Sequence, residues 1–182
     1  FDYSGNIIWH KEYETTQWYQ PFFKAKVINL NSGDFLFTGT YYTSDNYYLR
    51  LNNQGDALWG KSYRLDTICP ISHTGDAVEI SNGDIISIGQ FNHFYLLKTS
   101  SIGKLKWRKY FATLYLDNES LYKSLDNKIV IAGSQRDSSG GIHNLSLTKI
   151  DTSGNVLWSK KYVSSVSESI KFDDIVQLED SS

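Results

Sequence analysis

Much of what usually points to a function is missing from these 182 residues. There is no methionine, one cysteine (Cys69) and only two prolines, Pro21 and Pro70. A single cysteine excludes an internal disulfide framework and leaves the redox compartment open. Formal net charge is −2, from 18 basic and 20 acidic residues. With no basic run there is no electrostatic footprint for a nucleic-acid partner. No window approaches a run of about 18 apolar residues, so no membrane-spanning helix is expected. No stretch sustains a 3.6-residue apolar period, so no helix of consequence is expected either. The chain opens on Phe1 without a signal sequence, which suggests a processed or excised piece whose targeting segments lie outside it.

The usual carriers of chemistry are equally thin. His10, His73, His93 and His143 show neither His-x-His nor His-x-x-x-His spacing, and no metal site is expected of them. Cys69 has no histidine or other base near it in sequence, so a plain thiol is expected rather than a nucleophile. No catalytic residue and no cofactor is expected.

What the chain has is aromatic residues, 15% of the total with 13 Tyr, 9 Phe and 5 Trp, a composition that favours strands. Four of the tryptophans recur in one pattern: Gly, three residues, Trp, one residue, Lys, one residue, aromatic. The copies run Gly5-Asn6-Ile7-Ile8-Trp9-His10-Lys11-Glu12-Tyr13, Gly55 to Tyr63, Gly103 to Phe111, and Gly154 to Tyr162. Trp9, Trp59, Trp107 and Trp158 are 50, 48 and 51 residues apart. A period of this size marks stacked supersecondary units.

Each unit reads as four short strands. An alternating run (Phe23 to Ile28, Asp76 to Ile80, Ser120 to Leu125) precedes a turn such as Asn31-Ser32-Gly33-Asp34, Ser81-Asn82-Gly83-Asp84 or Asp126-Asn127-Lys128. These turns need a residue at positive φ, which glycine or asparagine supplies. A run closed by glycine follows: Phe35 to Gly39, Ile85 to Gly89, Ile129 to Gly133. Such continuous apolar runs fit strands covered on both faces. A third run and the Trp-bearing strand complete the unit.

The fold class expected is all-β: a β-propeller with three full four-stranded blades near 22–63, 76–111 and 119–162. Residues 1–13 supply the last strand of a preceding blade, and 170–182 the first of a following one. The chain is therefore expected to be a fragment of a larger propeller.

The pattern Asp-x-x-Gly-Asn-x-x-Trp-x-Lys-x-Tyr, with a Gly-Asp turn and an apolar run ending in Gly, resembles a known repeat. It is similar to the propeller-type repeats of large secreted and cell-surface proteins of Bacteroidota, many of them cargo of the type IX secretion system. That resemblance implies an extracellular or outer-membrane-associated location and a protein or glycan partner. The Gly-to-Trp spacing also resembles the tryptophan-docking motif of quinoprotein-type propellers, found in quinone-dependent dehydrogenases and in non-enzymatic assembly scaffolds. The dehydrogenase form would imply a Ca²⁺ site and a funnel of Asp and Arg; no clustered carboxylate set stands out here.

Because the four tryptophans share one phase, they are expected to pack between neighbouring units, each indole N–H bonded to a backbone carbonyl. The lysine two residues on lies on the same strand face and should cover the ring or pair with a carboxylate of the next unit. Function is sought where the repeat breaks. Trp18, off phase in an aromatic linker with Tyr19, Phe22 and Phe23, is expected first as a capping plug over the face between the first two units and, as the alternative, as the candidate recognition patch. The Gln135 to His143 loop is the other departure, its Ser and Gly pointing to flexibility. The functional expectation is a non-catalytic binding or scaffold module. The alternative is part of a propeller enzyme, quinone- or Ca²⁺-dependent or glycan-cleaving, with its active site outside this segment.

Overall fold

In the computed structural model the described residues are 3–13, 23–40, 45–64, 73–91, 93–111, 117–136, 143–163 and 175. They form twelve strands and, among them, no helix. The first sheet takes β1 (Phe23–Asn29), β2 (Phe35–Thr40), β3 (Asp45–Leu51) and β4 (Ala57–Arg64). The second takes β5 (His73–Glu79), β6 (Ile85–Phe91), β7 (His93–Thr99) and β8 (Leu105–Phe111). The third takes β9 (Asp117–Lys123), β10 (Ile129–Arg136), β11 (His143–Ile150) and β12 (Val156–Tyr162). Each sheet is an antiparallel meander in chain order, with the Trp-bearing strand last.

Two boundaries differ from the sequence expectation. Arg64 and His73 were expected in the linker between units, but β4 runs to Arg64 and β5 begins at His73. The cause is a register shift between Thr74 and Ala77, which lets the strand pair on both sides of Gly75 and Asp76. Residues 170–174 and 176–182, expected to open a further blade, lie outside the described residues.

Six turns share one hydrogen-bond geometry. In the first, Gly33 N–H donates to the Leu30 carbonyl at 2.9 Å and Leu30 N–H to the Asp34 carbonyl at 2.8 Å. The same pair recurs at Asn52/Gly55, Ile80/Gly83, Ser100/Gly103, Ser124/Asn127 and Asp151/Gly154. The residue closing each turn is left-handed; Asn127, at φ 56°, does what glycine does in the others. The Asx residue that opens the pattern has a local reason. Asp151 Oδ1 accepts from the Ser153 and Asn155 amides, both at 2.8 Å, and Asn52 does the same for Gln54 and Asp56.

The core lies between sheets rather than inside one. Leu30, Leu36, Tyr48 and Tyr63 of the first sheet pack on Ala77, Ile85, Tyr95 and Leu97 of the second. The other face of the second sheet sets Ile80, Ile86, Ile88, Phe94 and Leu96 against Leu121, Ile129, Ile131 and Ile150 of the third. Ile85 and Ile86, adjacent on β6, thus serve opposite cores because successive side chains point to opposite faces. That is why the run Ile85 to Ile88 does not alternate with polar residues. Each such side chain, once buried, contributes about 1.5–3 kcal/mol.

Candidate functional site

The repeated motif builds a joint between consecutive units, and its parts come from two different copies. A Cβ added to Gly103 would stand 3.0 Å from the Trp59 ring and 2.9 Å from Lys61 Cδ. At Gly55 it would meet the Trp9 ring at 2.9 Å, and at Gly154 the Trp107 ring at 3.0 Å and Lys109 Cδ at 2.9 Å. Each tryptophan lies flat enough on the next unit's turn that only glycine leaves room for it. The glycine is thus required twice, once for its positive φ and once for this approach.

Hydrogen bonds close the joint. Trp9 Nε1 donates to the Asn53 carbonyl at 3.2 Å, and Trp59 Nε1 to the Ser101 carbonyl at 3.1 Å, in each case two residues before the glycine. Tyr13 and Tyr63 donate their phenol to the carbonyl of that glycine, Gly55 and Gly103, at 2.5 Å. Burial pushes the Tyr63 phenol up to about 12, so it remains a donor at any working pH. The third joint has Phe111 at this place, which packs on Phe94 instead, ring centroids 5.1 Å apart. The lysines behave in the two ways expected. Lys11 pairs with Asp56 of the next turn, and Lys109 reaches Asn155 Oδ1 at 3.0 Å while lying 5.8 Å from the Trp107 centroid.

A second repeated element went unassigned in the sequence. Arg50, Lys98 and Lys149 sit on the third strand of each sheet, directly across from Trp59, Trp107 and Trp158. Arg50 binds the Asp34 carboxylate through Nε (3.0 Å) and Nη2 (2.7 Å), and its Nη1 donates to the Ser101 carbonyl at 2.8 Å. Lys98 spans Asp84 (3.3 Å) and the Thr152 carbonyl (3.0 Å), and Lys149 binds Asp126 at 3.0 Å. Arg50 and Lys98 therefore tie their own sheet's first turn to the next sheet's last turn, while Lys149 holds the first turn of its own sheet. The signal was present, a basic residue recurring at the penultimate position of the third strand, but Arg and Lys alternate there and the tryptophan motif masks it.

The electrostatics follow this wiring. Arg50 hydrogen-bonded to Asp34 holds that carboxyl below its ordinary range. At Asp84 desolvation is the largest influence and works upward, yet hydrogen bonds from Lys106, Asn82 and Lys98 outweigh it and hold the pKa down. Ser124 and then Lys149 lower Asp126 to about 2. Among the described residues, where a carboxyl departs from its ordinary value the direction is down.

Among the described residues two carboxylates are buried, Asp84 and Asp76. Asp76, on β5, is nearly buried; its Oδ2 accepts from Ser120 Oγ (2.8 Å), the Leu121 amide (3.1 Å) and Lys26 Nζ (2.9 Å). A buried charge persists only when paired and hydrogen-bonded, and this one is, by groups from the sheets on either side. It fastens the first strands of three sheets together.

The tryptophans are less covered than expected of joint residues. Trp59 and Trp107 are half-buried and Trp9 is 39% exposed, because a joint covers one face of the ring only; Trp158, for which no joint is described, is 37% exposed. Of the candidate recognition patch, Trp18, Tyr19 and Phe22 lie outside the described residues; Phe23 opens β1, paired with Thr40. Cys69 and the 137–142 part of the long loop also lie outside them. Among the described residues no three His, Cys, Asp or Glu side chains gather as a metal ion would require. No helix among the described residues is long and apolar enough to cross a membrane.

Comparison with known proteins adds to the fold alone. No family model and no curated protein matches the chain. Among solved structures, the chain is similar to a crystal structure, at 1.35 Å resolution, of a protein of unknown function from Bacteroides caccae. The two share 14% identity at a TM-score of 0.52, over 87% of this chain and 51% of that one, so this chain spans about half its neighbour's length. At that identity the likeness is one of architecture.

Proposed function

We propose that the three meanders are blades of a β-propeller larger than this segment, and that the propeller is a non-catalytic binding or scaffold module at a bacterial surface. The observation that carries the reading is that, in the joints formed among the described residues, the repeated polar and aromatic groups are engaged by the framework itself. The Trp, Tyr, Lys and Arg positions hold sheet to sheet, Asp34, Asp84 and Asp126 hold those cations, and Asp76 holds the first strands. A framework with its chemistry spent on itself binds partners through what does not repeat, and in propellers that means the connecting segments. The matched neighbour is about twice as long as the part this chain covers. The extracellular location and the protein or glycan partner rest on the resemblance of the repeat.

Affinity electrophoresis against a panel of bacterial surface polysaccharides tests the glycan form of this reading. Retarded migration that Trp18→Ala abolishes, with an unchanged melting temperature, supports it and assigns the patch of Trp18, Tyr19, Phe22 and Phe23. A lowered melting temperature with retardation intact makes Trp18 a plug. No retardation on any polysaccharide removes the glycan partner.

A further inference from the structure

We propose that Asn82 is a modification site: it converts to aspartate and isoaspartate through a cyclic imide when its turn opens, and Asp84 with two lysines keeps that turn shut. The inference does not depend on the partner class proposed above. Asn82-Gly83 is the one Asn-Gly pair in the chain. Glycine leaves the backbone nitrogen after the asparagine unobstructed, so that nitrogen can reach the side-chain carbonyl carbon. The glycines of the other hydrogen-bonded turns follow Ser32, Gln54, Ile102 and Ser153, and Asn127 is followed by Lys128. Asn82 is exposed, so water and base reach it. In the reaction the Gly83 nitrogen bonds to Asn82 Cγ, the bond from Cγ to Nδ2 breaks, and ammonia leaves with the proton from Gly83. Water then opens the imide at either carbonyl. One product is aspartate; the other is isoaspartate, with the main chain rerouted through the side-chain carbon.

The closed turn opposes that step. Gly83 N–H donates to the Ile80 carbonyl at 2.9 Å, and an imide nitrogen has no hydrogen to donate, so this bond is lost as the ring forms. The side-chain amide under attack is held at both ends by Asp84. Its Oδ1 accepts from the Asp84 amide at 3.1 Å, and its Nδ2 donates to Asp84 Oδ2 at 3.0 Å. Asp84 is held in turn: Lys106 binds it at 2.6 Å and Lys98 at 3.3 Å. Lys98 goes on to the Thr152 carbonyl of the third sheet at 3.0 Å. The turn is therefore shut by ties that also join the second unit to the third, and the modification loosens both. Aspartate at this position replaces the donor facing Asp84 Oδ2 with a second carboxylate, and like charges at that distance repel. Isoaspartate adds an atom to the backbone, so the paired bonds between Ile80, Gly83 and Asp84 cannot close as before.

Peptide mapping by mass spectrometry, after the full chain is incubated in mildly alkaline buffer with and without urea, tests this. In urea Asn82 should convert ahead of every other asparagine. In the folded chain it should convert about tenfold or more slowly, a factor that corresponds to about 1.4 kcal/mol for opening the turn. Gly83→Asn accepts the left-handed conformation and meets nothing closer than Ser101 Cβ at 3.7 Å, but it crowds the nucleophile. Conversion at Asn82 should then be largely lost in urea. Lys106→Ala loosens Asp84 without touching the nucleophile, so conversion should quicken several-fold in the folded chain and stay unchanged in urea. Far-UV circular dichroism checks that both variants stay folded. Converted wild-type chain, separated by its added negative charge, should melt at a lower temperature than the unconverted chain. Asn82 converting as fast in the folded chain as in urea overturns the proposal, and so does an Asn82 that stays intact in urea. A Lys106→Ala chain that keeps the wild-type folded rate, or converted chain with an unchanged melting temperature, overturns the link between the turn and the joint.

Discussion

A glycine and a tryptophan four residues apart look like partners in sequence, yet here they never meet within one motif. The ring of Trp59 covers Gly103, from the following copy, and the spacing is identical in every unit only because every unit is both donor and receiver. The motif was legible; its wiring was not, because a period gives the phase of a residue and not which neighbour it faces. The double demand on Gly103 can be separated by experiment. Gly33 and Gly103 have φ of 83° and 71°, so alanine at either is strained by about 1–2 kcal/mol. Only Gly103→Ala also drives a Cβ to 3.0 Å from an indole, and overpacking should add about 1–3 kcal/mol. Urea titration of the two variants gives the difference directly, and equal losses would mean that Trp59 yields without cost. Tyr63→Phe should lose about 1 kcal/mol in the same titration, since it removes the phenol that satisfies the Gly103 carbonyl.

At the level of strands and turns the sequence was most informative, for reasons of period and stereochemistry. Alternation on the first strand of each unit, the continuous apolar run of β6, and glycine or asparagine at each turn mark where the chain must pair and reverse. The bulge that starts β5 at His73 left no such mark, because it depends on how Gly75 and Asp76 are accommodated between two flanking pairs. The cations of the third strands are also an element-scale device, and they predict a pH dependence. Asp34, Asp84 and Asp126 have depressed pKa values in the folded chain, so the stability they contribute is complete above the ordinary carboxyl value of 3.8. It is lost as pH falls from there through the folded values, near 2 for Asp126. Melting temperature should be level from neutral pH to about 5 and then drop towards pH 2. In Asp84→Asn the drop should be shallower from a lower starting point, because Lys98 and Lys106 lose their carboxylate at every pH. A variant that keeps the wild-type profile would show that Asp84 carries none of it.

Among the described residues the three sheets hold together first to second and second to third, through the two cores, the joints at Trp59 and Trp107, and Asp76 between the first strands. Stability in such an array is close to a sum of unit terms and interface terms, so cutting one interface should release one unit. Trp59→Ala removes a ring packed on Gly103 and its bond to the Ser101 carbonyl, a loss of about 3 kcal/mol at the low end for tryptophan because the ring is half-buried. Trp158→Ala, on a ring for which no joint is described, should cost well under about 1 kcal/mol. The contrast is also spatial. In Trp59→Ala, amide hydrogen exchange should quicken across β1 to β4 while β9 to β12 keep wild-type protection, since the Trp107 joint and the second core are untouched. Uniform loss of protection over all three sheets would mean that the chain unfolds as one cooperative body, and that the joints fasten it without dividing it.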